Sequence, residues 1–211
     1  MKKIFLILFI TLTTSFYGQQ PVMFKVEKST IILNDNTEIQ GEIDFPLVDD
    51  GKPLKYKNAN GKQKIERDKI SKVVFTTNQG GGAAIEYINM KVFNEMNVKV
   101  MKEPKLLLNV VKGKVSVYIS SYTNNQFSYN GSANAARNNG VGFVNYYCIR
   151  EGEEAASLIH VDSNYANENM FFRQNGRIYF ADNTEIAAKI DNREYTYKNF
   201  MEVIELYNSK K

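Results

Sequence analysis

Apolar and polar residues alternate strictly from Thr37 to Phe45. Thr37, Ile39, Gly41, Ile43 and Phe45 fall on one register, and Glu38, Gln40, Glu42 and Asp44 on the other. A period of two is the signature of a strand with one face on a core and the other in water. Met23 to Leu33 supplies a partner strand, and Asn34-Asp35-Asn36 a turn, because Asn and Asp tolerate left-handed backbone. A second hairpin is predicted from Leu54–Lys57 and Gln63–Ile65, joined through Asn58-Ala59-Asn60-Gly61. Further strands are expected at Ser71–Thr77, Ile85–Phe93, Val98–Met101 and Lys105–Val111. Beyond the Lys112-Gly113 turn, Val115, Val117 and Ile119 alternate with Ser116, Tyr118 and Ser120. Phe143–Arg150 and Ser157–Val161 resume the strand pattern.

After Ser163 the period changes. Phe171, Phe172, Ile178, Tyr179 and Phe180 suit a helix interrupted or weakened at Gly176. Asp182, followed three residues later by Glu185, resembles a capping arrangement that opens a short helix through Ile190. Thr196 is placed to cap a last helix, with Phe200, Val203, Ile204 and Tyr207 on one face. Glu202 and Glu205 lie in that helix where a membrane-surface helix would carry Lys or Arg, so the stripe reads as core contact. The pentapeptide Asp-Asn-Thr-Glu-Ile occurs at Asp35–Ile39 and again at Asp182–Ile186. It is expected to turn into a strand the first time and to start a helix the second. Neither copy has the spaced oxygen ligands of a calcium loop. The fold class that follows is α+β: mainly antiparallel β, as a sandwich or barrel-like sheet, with two to three short C-terminal helices.

Two stretches interrupt the pattern. Gly80-Gly81-Gly82 is followed by strand-like Ala83–Ile88 and by no Lys in register, so a connection between strands is expected rather than a phosphate loop. Residues 124–142 are rich in Asn, Gly, Ser and Ala and form a long polar loop, mobile or binding. That loop includes Asn130-Gly131-Ser132, a glycosylation sequon.

Residues 1–18 read as a secretory signal: Lys2 and Lys3, then an apolar run from Ile4 to Ile10, then a polar stretch toward Gly18. The run falls well short of what a membrane span needs, roughly 18–20 residues. The expected organisation is a signal at 1–18, a β-rich domain at 19–123, the loop at 124–142, further strands of the same domain at 143–162, and a helical segment at 163–211 packed on the sheet. Export would leave the protein periplasmic, outer-membrane-associated or extracellular, with no transmembrane span in the mature chain.

The signal alters the charge argument. The 211 residues carry a formal charge of +4. Removing 18 residues and two lysines leaves 193 residues at +2. That balance gives no general drive toward phosphate backbones, so nucleic acid is not an expected partner. Lys52, Lys55, Lys57, Lys62, Lys64, Lys69 and Lys72 cluster in one stretch, but Asp49, Asp50, Glu66 and Asp68 dilute them, and solvated strands account for the pattern.

Reactive residues are scarce. With one Cys and one His in the chain, no intrachain disulfide can form, and zinc would have to draw most of its ligands from carboxylates. No cofactor motif, metal set or catalytic constellation stands out. Cys148, inside Tyr146-Tyr147-Cys148-Ile149, reads as a small apolar strand residue. The aromatic run Tyr118, Tyr122, Phe127, Tyr129, Tyr146 and Tyr147 could line a groove beside the long loop, with Tyr122, Phe127 and Tyr129 as candidate binding residues. The alternative to binding is an envelope hydrolase using His160 and Asp162, two residues apart and so on one face of a strand. The chain lacks the Gly-x-Ser-x-Gly nucleophile turn such chemistry often uses.

Two segments carry a family resemblance. The first runs from Ile31 to Ile43, continuing through Leu54-Lys55-Tyr56-Lys57, Gly61 and Ile65-Glu66-Arg67-Asp68-Lys69-Ile70. It resembles a module in uncharacterised exported envelope proteins of the Bacteroidota, in which a turn leads to a Gly-x-Ile strand, a hairpin and an Asp-x-Ile step. The second, Tyr179–Asp182 through Ala188–Ile190 to Ile204–Asn208, resembles the helical end of the same proteins. Members often carry Cys after that Asp, where this chain has Asn183. The resemblance implies an envelope location and no established chemistry. A non-enzymatic envelope or secreted protein for binding or assembly is the expected function, with an unknown protein or envelope component as its partner.

Overall fold

The computed structural model describes residues 25–48, 51–76, 84–122, 143–163 and 167–209. Among the described residues, ten strands form one antiparallel sheet: β1 (Lys25–Leu33), β2 (Glu38–Phe45), β3 (Leu54–Asn58), β4 (Gly61–Ile65), β5 (Ile70–Thr76), β6 (Ala84–Met90), β7 (Lys105–Val111), β8 (Val115–Tyr122), β9 (Phe143–Arg150) and β10 (Ser157–Ser163). Three helices follow: α1 (Glu168–Tyr179), α2 (Thr184–Asp191) and α3 (Phe200–Ser209). The fold is therefore α+β, mainly antiparallel, with short C-terminal helices.

Spatial order is β10-β9-β8-β7-β6-β5-β1-β2-β3-β4. Two meanders, β1–β4 and β5–β10, are thus spliced through the pairing of β1 with β5. One same-face row crosses eight strands in register: Ile39, Ile31, Val73, Tyr87, Leu108, Ile119, Tyr146 and His160. Toward the β1–β6 end this face builds a core of Ile31, Ile43, Leu54, Ile70, Val73 and Phe75. The sheet curls enough there for the Leu47 amide, beyond β2, to donate to the Tyr87 hydroxyl on β6 at 3.3 Å. At the β8–β10 end the same face is covered by the helices, through Val115, Val117, Cys148, Ile159, Phe172, Ile186 and Ile204.

On the opposite face, Leu107, Tyr147 and Leu158 form a third core with Val92 and Ala156. Val92 belongs to the β6–β7 connection, which crosses to Ala156 and pairs with it in parallel. The strand expected at Val98–Met101 is absent; only Val100 makes a ladder contact, with Phe93. Asn residues explain the difference, since their side chains satisfy backbone groups that a ladder would use. Asn94 Oδ1 accepts from the amides of Val98 and Lys99. Asn97, in left-handed backbone at φ 54°, donates to Leu158 O at 2.8 Å and accepts from Leu158 N at 2.9 Å.

Local turn chemistry follows the sequence with refinements. Asn36 takes φ 66° in the first hairpin, and Asp35 Oδ1 accepts from Thr37 N, which holds the Asp35 carboxyl below its usual range. The second hairpin turns more tightly than expected: Asn58 already pairs with Gly61. Helix α1 runs unbroken through Gly176, correcting the expected interruption. Gly176 is buried beside Ile190 and Phe172, and packing of this kind outweighs a helix-propensity cost of about 1 kcal/mol. The cap of α2 is Asn183, whose Oδ1 accepts from Ile186 N, and not Asp182. Thr196 opens a single 3-10 turn, Tyr197–Asn199, that leads directly into α3.

Residues 1–24, the Gly80–Gly82 run and the 124–142 loop, with its sequon, lie outside the described residues. No described helix is long and apolar enough to cross a membrane.

Candidate functional site

The residues with most chemical potential converge where the helices meet β9 and β10. Strand β10 carries a bulge between Leu158 and His160. Leu158 packs on the Tyr147 face, whereas Ile159 joins the helix-side core, and His160 is opposite Tyr146. A bulge re-aims side chains in this way by adding one residue against one partner strand. The imidazole is thereby delivered under α3.

His160 is 4% exposed. Its ring is stacked between Tyr146, at 5.1 Å, and Tyr197, at 5.2 Å, each with an interplanar angle of 25°. Phe172 and Phe200 close the cage at 6.5 and 6.1 Å. Among the described residues, Nδ1 has no hydrogen-bond partner. Burial pulls the imidazole down to about 4, against a smaller upward pull from Glu168. The ring is neutral at pH 7 and packs as an aromatic.

Cys148 is two residues along β9 from Tyr146 and shares the helix-side core. It is fully buried, and burial pushes its thiol well up, more than the opposing effect of Arg150. A nucleophilic Cys–His pair needs the reverse, a depressed thiol beside a protonated imidazole. Asp162 continues the strand at the His160 parity, opposite Val144. Its side chain lies outside the described residues.

Arg150, at the end of β9, is the second focus. Its Nε donates to the Tyr207 hydroxyl at 3.0 Å, Nη1 to Glu153 at 2.9 Å, and Nη2 to both Tyr179 O at 2.7 Å and Asp182 at 3.0 Å. The guanidinium also lies 4.0 Å from the centroid of the Tyr179 ring, a cation–π contact. Tyr179 donates to Glu153, and Tyr207 to Asp182. Burial alone would pull the guanidinium down, but the bonds from Tyr207 and Glu153 outweigh it and raise it. One strand residue thus fastens the end of α1, the α1–α2 connection at Asp182, and α3. Sequence reasoning missed it, although Asp182 and Tyr207 both belong to the tail segments quoted for the resemblance.

Of the three candidate binding residues, Tyr122 ends β8 opposite Phe143. Phe127 and Tyr129 lie outside the described residues, as does the side chain of Tyr122. Among the described residues, no group of three or more His, Cys, Asp or Glu side chains could hold a metal ion.

Comparison of the chain with family models, with curated proteins and with solved structures gives no match.

Proposed function

We propose that the protein is an exported, non-enzymatic envelope or secreted component that acts by binding or assembly. One observation carries this reading: the chain's single imidazole and single thiol are both enclosed in the helix–sheet junction and held neutral. Arg150, the strongest polar hub, is spent on fastening helices to the sheet. Chemistry of this kind stabilises a shape, and recognition then falls to the outer surfaces and loops. The secretory pattern of residues 1–18 and the likeness of the two segments to exported Bacteroidota proteins support the location. Tyr122, at the end of β8, and Phe127 and Tyr129, which follow it in the chain, are the proposed contact residues.

Cell fractionation combined with in-cell crosslinking tests the proposal. The expected result is a processed chain in the envelope or medium, crosslinked to a partner. Recovery of an unprocessed chain in the cytoplasm, or loss of a hydrolytic activity on envelope material when His160 is replaced, would sink it. Changing Tyr122, Phe127 and Tyr129 to Ala together should abolish the crosslink; an unaltered crosslink removes those three residues from the proposal.

A further inference from the structure

The register of the β3–β4 hairpin sets like charges against each other. Lys55 is opposite Lys64, and Lys57 opposite Lys62. Because residues two apart share a face, all four lysines stand on one side of the hairpin. Leu54, Tyr56 and Ile65 belong to the other side and pack toward the core. The four are exposed, and among the described residues none forms an ion pair. Directly opposed like charges destabilise a sheet.

Edge protection accounts for part of this pattern. Lysine on an unpaired edge strand blocks edge-to-edge association, and β4 is the terminal strand among the described residues. That explains Lys62 and Lys64. Lys55 and Lys57 are on β3, inside the sheet, where carboxylates opposite the edge lysines would have been stabilising.

We infer that this four-lysine face is a binding site for a linear, base-free polyanion, a polymer carrying phosphate or sulfate groups along a narrow chain. The geometry matches such a ligand in three ways. Opposed lysine side chains in a sheet start about 5 Å apart, and successive same-face positions lie about 7 Å apart along the strand, so the hairpin offers two consecutive pairs of cations in line, one cation for each of four anionic groups. The track is narrow, because β2 presents Glu38, Glu42 and Asp44 on the same face, and Glu42 is opposite Lys57. A flat anionic membrane would meet those carboxylates as well as the lysines, whereas a chain lying along the hairpin avoids them. The hairpin's lysine face also has no aromatic ring, and single-stranded nucleic acid is bound through stacking on such rings. Beside the track, where β2 and β3 share one register pair, a depression of about 650 Å³ opens between Lys28, Glu42, Lys57 and Asn60.

This deepens the binding reading by naming a ligand class, and it does not depend on where the protein resides. The test is fluorescence anisotropy of the purified protein with labelled inorganic polyphosphate, with a single-stranded oligonucleotide and anionic phosphatidylglycerol vesicles as comparison ligands. Polyphosphate should bind, with affinity falling about 50-fold between 50 and 200 mM salt if four phosphates are neutralised. The variant K55Q/K57Q/K62Q/K64Q should lose at least about tenfold in affinity and unfold at no lower temperature, since like-charge repulsion is relieved. The control K91Q/K99Q/K102Q/K198Q removes the same charge elsewhere and should change affinity less than about twofold. Equal loss in both variants, no polyphosphate binding, or tighter binding to the oligonucleotide or the vesicles would overturn the inference. Any of those results leaves the crosslinked partner of the preceding section untouched, so the two readings fail separately.

Discussion

Asn208, near the end of α3, occupies the space that a side chain on Gly113 would fill. Its carboxamide donates to Val115 O at 3.0 Å and accepts from Val115 N at 2.8 Å, and a Cβ built on Gly113 would collide with that same group. The last helix is therefore bonded to the first residue of β8, and the turn before β8 is Gly because the carboxamide comes so close. Gly113→Ala should displace the carboxamide and cost about 1–2 kcal/mol, as should Asn208→Ala. The double variant should cost no more than Asn208→Ala alone, because both changes remove the same two bonds. Urea titration of the four proteins checks this; additive losses would separate the two residues.

The other helix-side glycine should behave in the opposite way. A Cβ on Gly176 would meet Ile190 Cδ1 and Phe172 Cε2 at 3.5 Å, an ordinary contact distance. Gly176→Ala is expected to stabilise the protein by about 0.5–1 kcal/mol through helix propensity and a less flexible unfolded chain. A lowered melting temperature would show that the core around Phe172 has no room.

His160 should make the fold acid-sensitive. Burial lowers its imidazole from the ordinary value of about 6.5 in the unfolded chain to about 4 in the folded one, so the unfolded chain binds the proton more readily. Stability is then fully present above about pH 6.5 and is lost as pH falls toward 4, by at most about 3 kcal/mol. His160→Leu gives up no hydrogen bond at Nδ1 and should flatten that limb of the pH profile. Chemical denaturation between pH 4 and 7.5 reads the difference, and identical profiles would place the acid sensitivity elsewhere.

The strands were legible because each announces itself locally. The short apolar runs at Lys105–Val111 and Phe143–Arg150 share their bounds with β7 and β9, and Asn36 marks its turn through its own backbone preference. The second pentapeptide shows why the rest was not legible. Asp35 satisfies its neighbour Thr37, whereas Asp182 reaches Arg150 and Tyr207, and nothing in five residues distinguishes these fates. The His160 cage likewise joins β9, β10 and the 197–200 segment, a meeting set by the bulge and the helix docking. Gly176 misled for a related reason: its propensity is local, but its burial under α2 is tertiary. The lysine face needed one further step, the two-residue turn that brings Lys55 against Lys64.

Arg150 should prove the costliest single polar position. Arg150→Gln removes the guanidinium bonds to Tyr207, Glu153, Tyr179 and Asp182 and should cost about 2–3 kcal/mol. Tyr207→Phe loses one arm of the network and should cost about 1 kcal/mol. Hydrogen exchange should show α1, α2 and α3 loosening together in Arg150→Gln; protection lost in only one helix would argue against a common fastening.

Cys148 should resist thiol reagents in the folded protein. Full burial and a raised pKa leave little accessible thiolate, so labelling at pH 7.5 should proceed only through unfolding and accelerate in step with added urea. Rapid labelling without denaturant would mean that the helices open far more readily than their contacts imply.

The splice between β1 and β5 makes the order of assembly matter. β1 to β4 can zip as neighbouring hairpins, but the second edge of β1 has no partner until β5 is available, with β2, β3 and β4 lying between them in the chain. The step that joins the two ribbons therefore waits on loop closure rather than on local pairing. Until then the apolar face bearing Ile31 and Ile43 is open on one side, and the chain is most vulnerable to wrong partners at that stage.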